Sequence, residues 1–269
     1  MKLKGKVAIV TGGACGIGRA VCNGLAEVGV LVVVADVNSE GAHLAAEELK
    51  DKFGGNHIST KTDVTDKASV DDMVTVALGT FGKIDILVNN AGILIPRLLV
   101  DPAGKEELTE QIWEKMVSIN QKGYFLCAQA VSRIMIKSGN GGVIINMTSE
   151  SGMEGSQGQS VYAATKAAIY ALTRSWAKEL GKHNIRVVGI APGIVEVTAL
   201  RSDEYERALS YTRGITVEQL REKYEKASIP LGRSGKLSEV ANTVCFLASE
   251  RAGYIHGTVI NVSGGKSRA

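Results

Sequence analysis

Cysteine is scarce, and Cys15, Cys22, Cys127 and Cys245 show neither a Cys-x-x-Cys spacing nor a paired framework. A disulfide scaffold and a zinc ribbon are thereby excluded; free thiols in a reduced cytoplasmic compartment, and no metal site, are expected. Charge of one sign is lacking too. The net value is only +3, with both signs mixed along the chain, so nothing calls for nucleic acid or an acidic membrane surface. The basic residues at the ends (Lys2, Lys4, Lys6, Lys266, Arg268) read as solvated termini. No stretch approaches the roughly 20 apolar residues that span a bilayer, and the apolar run from Val7 to Val10 is too short for a signal peptide. A soluble protein is expected. Aromatic residues make up only 5%, which counts against a pocket for bulky apolar substrates.

What the chain has is apolar content, 45% of 269 residues, enough for one large α/β core. Short β-branched runs alternate with helical patterns. Strands are predicted at Val7–Val10, Leu31–Ala35, Ile58–Thr62, Ile86–Val88, Val143–Met147, Val187–Ile190 and Val259–Val262. Several are apolar on consecutive residues, as in parallel strands buried on both faces. Helices are predicted near 17–28, 40–52, 67–80, 109–137, 161–182 and 238–248. This rhythm predicts a single Rossmann-like α/β domain over 1–269, a doubly wound parallel sheet of about seven strands with helices on both faces. The charged, helical segment 194–235 breaks the rhythm where a substrate lid would sit, an ornamental surface hairpin being the alternative.

Directly after the first strand comes Thr11-Gly12-Gly13-Ala14-Cys15-Gly16-Ile17-Gly18, and then an amphipathic helix. Glycines there permit a tight turn and close approach of backbone to a pyrophosphate, while the helix N-terminus supplies donors and partial positive charge. Gly12, Cys15, Gly16, Ile17 and Gly18 are therefore candidate cofactor contacts. Asp36 ends the second strand, where a carboxylate accepts hydrogen bonds from the adenosine ribose hydroxyls and repels a 2′-phosphate. No Arg or Lys adjoins it, so NAD(H) is expected rather than NADP(H). Asp63-Val64 could hold the adenine edge, and Asn89-Asn90-Ala91-Gly92 is a polar strand end beside the same crevice.

Tyr162 and Lys166 lie four residues apart, about one helical turn, so phenol and ammonium project from one face. A cation beside the phenol stabilises the phenolate and moves it towards acid–base work. Ser149 follows the β-type run Val143–Thr148 and could face that phenol across a crevice.

With these motifs in place, the chain resembles the short-chain dehydrogenase/reductase family essentially from end to end. The resemblance rests on Thr-Gly-x-x-x-Gly-x-Gly, Asn-Asn-Ala-Gly, the Ser149/Tyr162-x-x-x-Lys166 set and Pro192-Gly193. It implies a tetrad. Tyr162 would be the acid/base, Ser149 would orient the substrate oxygen, and Lys166 would bind nicotinamide ribose and lower the Tyr162 pKa. Asn120, in Ser118-Ile119-Asn120, would hold a water of the proton relay. Ile194 and Val195, after Pro192-Gly193, would meet the nicotinamide amide, with Thr198 nearby. A homotetramer paired through helices 109–137 and 161–182 is implied as well.

Two places depart from the family pattern, and both border the substrate side. The stretch 93–112 is several residues long, and Thr198 arrives about one residue late. Local runs such as Pro96-Arg97-Leu98-Leu99-Val100-Asp101 and Ala208-Leu209-Ser210-Tyr211-Thr212-Arg213-Gly214 resemble a subgroup that oxidises a polyol phosphate, sorbitol 6-phosphate to fructose 6-phosphate, with NAD⁺. A phosphate wants Arg forks or Lys; Arg97, Arg201, Arg207, Arg213, Lys266 and Arg268 are the candidates, at least one of which should reach the pocket. Glu150 and Glu154 bind hydroxyls but repel phosphate, so they would face the polyol end. The alternatives are a free polyol, a hydroxysteroid or a 3-oxoacyl substrate, and, more remotely, a non-catalytic NAD-binding protein.

Overall fold

Alternate residues of the first strand enter two separate cores, and the architecture follows from that. The computed structural model describes residues 1–198, 201–226 and 229–267. Its strands are β1 (Val7–Thr11), β2 (Leu31–Asp36), β3 (Ile58–Lys61), β4 (Ile86–Asn89), β5 (Gly142–Met147), β6 (Ile185–Pro192) and β7 (Val259–Val262). They form one sheet in the order β3-β2-β1-β4-β5-β6-β7, every neighbouring pair parallel. The helices are α1 (Gly16–Glu27), α2 (Ser39–Phe53), α3 (Lys67–Phe81), α4 (Glu110–Val117), α5 (Gly123–Ser138) and α6 (Ser151–Glu154). They continue with α7 (Ser160–Leu180), α8 (Asp203–Arg213), α9 (Val217–Lys226) and α10 (Leu237–Ala248).

Ala8 and Val10 of β1 pack with Val32, Val34, Ile86 and Val88 beneath α1, α2 and α10. Val7 and Ile9 turn the other way, with Val33 and Leu87, beneath α3, α5 and α7. Both faces are covered, which is why these strands are apolar on consecutive residues. Leu25 of α1 is fully buried in the first core; truncating such a side chain to Ala costs about 2–5 kcal/mol. Helix starts are fixed locally: Asn38 accepts from the Gly41 amide to open α2, and Asp66 from the Ala68 amide to open α3.

One expected helix carries an irregular turn within it. The helix predicted over 109–137 is α4, a π turn at Ser118–Lys122, and α5. The turn admits an extra residue and places Asn120, wholly buried, against the loop after β4. Its Oδ1 accepts the Ile93 amide at 2.8 Å, and its Nδ2 donates to the Ile93 carbonyl at 2.8 Å. Tertiary hydrogen bonds here outweigh helical regularity.

Strand order reverses between β1 and β4, and at the carboxyl ends of these strands a parallel sheet opens a crevice. The glycine loop leaves β1 at that point and Asn90 follows β4. No helix among the described residues is long and apolar enough to cross a membrane.

Candidate active site

Close backbone approach builds the first part of the crevice. Gly12 has φ +65°, and an added Cβ would lie 2.9 Å from Ala91 Cα. At Gly18 a Cβ would fall 2.0 Å from the Gly12 carbonyl oxygen and 2.5 Å from Asn90 Nδ2, so only glycine fits. The Asn90 amide braces the loop, donating to the Thr11 and Gly12 carbonyls at 3.0 and 3.1 Å. Cys15 offers α1 no side-chain cap and the first turn holds no acidic residue, which leaves its amides and positive dipole end to an anion. Asp36 is anchored at this end of the crevice by the Ala14 and Asn38 amides, each at 3.0 Å. This donor and acceptor set fits a dinucleotide with a free ribose diol: glycine-lined amides for the pyrophosphate, a carboxylate for the hydroxyls.

The second part lies between β5 and α7. Lys166 is 3% exposed; its Nζ donates to the Met147 carbonyl at 2.8 Å and to Tyr124 Oη at 3.1 Å. It also lies 5.7 Å from the centre of the Tyr162 ring. The Ser149 hydroxyl lies near enough to the Tyr162 phenol to lower its pKa, so β5 and α7 bring the expected hydroxyl and phenol together. Asn120 stands behind, its Nδ2 3.3 Å from Thr165 Oγ1.

The electrostatics correct one expectation. Burial pushes the Tyr162 phenol above its ordinary pKa; the Ser149 hydroxyl pulls it back and the Glu150 carboxylate pushes it further up. Burial also lowers Lys166 to about 7. An amine that sheds its proton near neutrality is no longer the fixed cation that the four-residue spacing implies, so desolvation governs both groups.

Every residue expected to touch the cofactor lines a single cavity of about 770 Å³, and so do Ser149 and both carboxylates, Glu150 and Glu154. Thr198, despite its offset, faces the glycine loop: a Cβ on Gly16 would lie 3.5 Å from its Cβ. Asn120 alone of the expected tetrad does not line the cavity. Of the candidate cations, Arg201, Arg213 and Lys266 reach it. Arg97 is turned to Glu106 and Arg207 is exposed outside it. Arg268 lies outside the described residues. Arg213 Nη2 donates to Ser156 Oγ at 3.1 Å and, among the described residues, pairs with no carboxylate.

Several cavity residues escaped the sequence reading. Tyr205, Lys223 and Tyr224 come from α8 and α9. Gln159 Nε2 donates to Tyr205 Oη at 3.2 Å, and the Arg201 guanidinium stacks on Tyr224 at 4.4 Å. Tyr124, beneath Lys166, was also missed; one turn after Asn120, it had only that spacing to mark it. The long stretch 93–112 and the segment 194–235 touch each other: Tyr211 Oη of α8 donates to the Asp101 carboxylate at 3.0 Å. Asp101 is itself held by the amides of Ala103, Lys105 and Glu106.

This sheet, glycine crevice and Ser/Tyr/Lys group define a dehydrogenase of dinucleotide-binding type, and the comparisons agree. Residues 6–208 match the short chain dehydrogenase family, and the chain belongs to it. It is 53% identical to sorbitol-6-phosphate 2-dehydrogenase of Klebsiella pneumoniae, over 100% of this chain and 98% of that one. It is 37% identical to 3-oxoacyl-(acyl-carrier-protein) reductase of Thermotoga maritima, over 98% and 99%. Among solved structures, 3-ketoacyl-(acyl-carrier-protein) reductase from Brucella melitensis complexed with NADH superposes with TM-score 0.82 at 30% identity, covering 99% of this chain and 100% of that one. The protein is an oxidoreductase of this family.

Proposed function

We propose that the enzyme oxidises a phosphorylated polyol at a secondary alcohol with NAD⁺, converting sorbitol 6-phosphate to fructose 6-phosphate. The observation that carries this reading is the set of lid-side cations, Arg213 and Lys223 with Arg201, in the same cavity as Ser149, Tyr162 and Lys166. Arg213, free of a carboxylate among the described residues, offers a fork suited to phosphate. The 53% identity to the Klebsiella enzyme supports the same substrate. Bound NAD⁺, held by the glycine loop, Asp36, Asp63-Val64, Asn90–Gly92 and Pro192–Thr198, supplies the hydride acceptor.

In this reading Tyr162 removes the hydroxyl proton, and in reduction it returns it. Ser149 positions the reacting oxygen and stabilises charge on it. Lys166 orders the ribose side of the crevice, and Asn120 fixes the loop at Ile93 through which the relay passes. A free polyol is the second reading, favoured by Glu150 and Glu154 in the cavity wall. Rates of NAD⁺ reduction with sorbitol 6-phosphate, sorbitol and a 3-hydroxyacyl thioester separate the readings. The phosphate should raise kcat/KM at least about tenfold over sorbitol, worth about 1.4 kcal/mol. Equal efficiency refutes the phosphate reading, and preference for the thioester refutes the polyol reading. A homotetramer belongs to this proposal; exposed Trp113 and Phe125 on α4 and α5 support it, and light scattering tests it.

A further inference from the structure

The residue after Ser149 is a carboxylate almost enclosed by protein. Glu150 is 7% exposed. Its Oε2 is closed off from solvent beside Gly193 and, among the described residues, accepts no hydrogen bond. Its Oε1 is paired with Lys266, both side chains being largely shielded from water. That cation comes from 116 positions away, and the turn after β7 delivers it. The Gly193 amide donates to the Val262 carbonyl at 3.0 Å, which lays the end of β7 beside Glu150. Gly264 and Gly265 then take φ of +63° and +87°, and the Lys266 amide closes the turn on the Ser263 carbonyl at 3.2 Å. Position 264 also needs glycine for space, since a Cβ there would lie 2.6 Å from Ile229 Cγ2.

We propose that Lys266 is a positioning residue for the reaction: by pairing with Glu150 it holds the carboxylate's charge off the Tyr162 phenol, so the turn after β7 sets how readily the base forms. This rests on Tyr162 being the base, as read above, and not on the choice of substrate. Tyr162 faces Lys166 on its own helix, Tyr124 of α5, Tyr205 of α8 and Glu150 after β5. Burial keeps the two tyrosines neutral, and Lys166 has shed its proton above about 7. Glu150 is therefore the charge that bears on the phenol, and it acts against the phenolate. Like charges repel more strongly in a shielded site than in water, and a cation seated on one of them removes most of that cost. Arg201, Arg213, Lys223 and Glu154 line the same cavity and are unaltered by a change at Lys266. Lys266, a candidate for the substrate phosphate, is thereby committed to Glu150, which leaves the phosphate to the other three cations.

The pH profile of NAD⁺ reduction tests this, on whichever of the three substrates above the wild type oxidises. Lys266→Met keeps the stem and removes the charge. Its acid limb should move up by about half a unit to one unit, so the rate below the limb falls about threefold to tenfold with the phenolate fraction. The deficit should shrink as pH is raised through the limb, whereas a structural fault would lower the rate at every pH. Lys266→Arg restores the cation and should keep the wild-type limb. Removing the carboxylate as well, in K266M/E150Q, should bring the limb back to the wild-type position or below it. NADH binding by fluorescence should stay unchanged throughout. A titration of phenolate absorbance, taken as the difference between each form and its Tyr162→Phe counterpart, reads the same shift without substrate. A limb that does not move in K266M, or that stays displaced once Glu150 is also replaced, overturns the assignment. Should K266M unfold, E150Q alone must move the limb to lower pH, and an unmoved limb overturns it equally. If Tyr162→Phe keeps its turnover, it is the reading of Tyr162 as the base that has failed.

Discussion

Lys166 should make the cofactor-free enzyme more stable as pH rises above neutrality. Burial lowers its ammonium from 10.5 to about 7. In the unfolded chain the amine keeps its proton up to the ordinary value, whereas in the fold it has given it up above about 7. Across that window folding releases a proton, so unfolding free energy climbs with pH, at a slope approaching about 1.4 kcal/mol per unit. Integrated from pH 7 to pH 9, the gain is about 2 kcal/mol. Lys166→Met preserves the length of the stem and cannot titrate. Urea unfolding of wild type and K166M at intervals over that range isolates the effect, since the buried thiols of Cys22, Cys127 and Cys245, all raised by burial, contribute equally to both. Wild type should gain about 2 kcal/mol on the variant between pH 7 and pH 9. Parallel profiles, or a variant that gains on wild type, would refute the depressed amine and with it the account of why the phenol is shifted upward.

Two further outcomes follow from the crevice. Tyr162→Phe should lower kcat by about 10²- to 10⁴-fold while leaving NADH affinity within about twofold, as removal of a general acid–base does; turnover near wild type would remove Tyr162 from the mechanism. Gly18→Ala places a methyl 2.0 Å from the Gly12 carbonyl oxygen, a backbone atom that cannot swing away. NADH binding by fluorescence titration should weaken by at least about tenfold, with a stability loss of about 1–3 kcal/mol; unchanged binding would mean that the loop has another way to pack.

The sheet was legible because its strands are apolar on consecutive residues and its turns carry glycine at fixed offsets. The seven predicted strands each fall within two residues of the observed ones, Val187–Ile190 being the shortest reading of a strand that runs from Ile185 to Pro192. Asp36 was readable for the same reason, because a strand end dictates where its residue points, whereas Thr198 came from the resemblance alone. Asn120 was placed only by resemblance, since no local signal announces a π turn that hydrogen bonds to Ile93 create. The cavity residues Tyr205, Lys223 and Tyr224 were invisible as a group because they come from two helices, α8 and α9, whose packing over the cavity no local pattern announces. The sign of the Tyr162 shift was misjudged because spacing reports which groups are neighbours, whereas desolvation depends on everything else around them.

The Asp101–Tyr211 contact ties the stretch 93–112 to α8, although 110 positions separate them. A change in either one is felt by the other, so the two act as a pair. Grafting one stretch alone into a relative would bring a carboxylate or a phenol without its mate; exchanging both together moves the whole substrate wall as one module, leaving the crevice beneath it untouched.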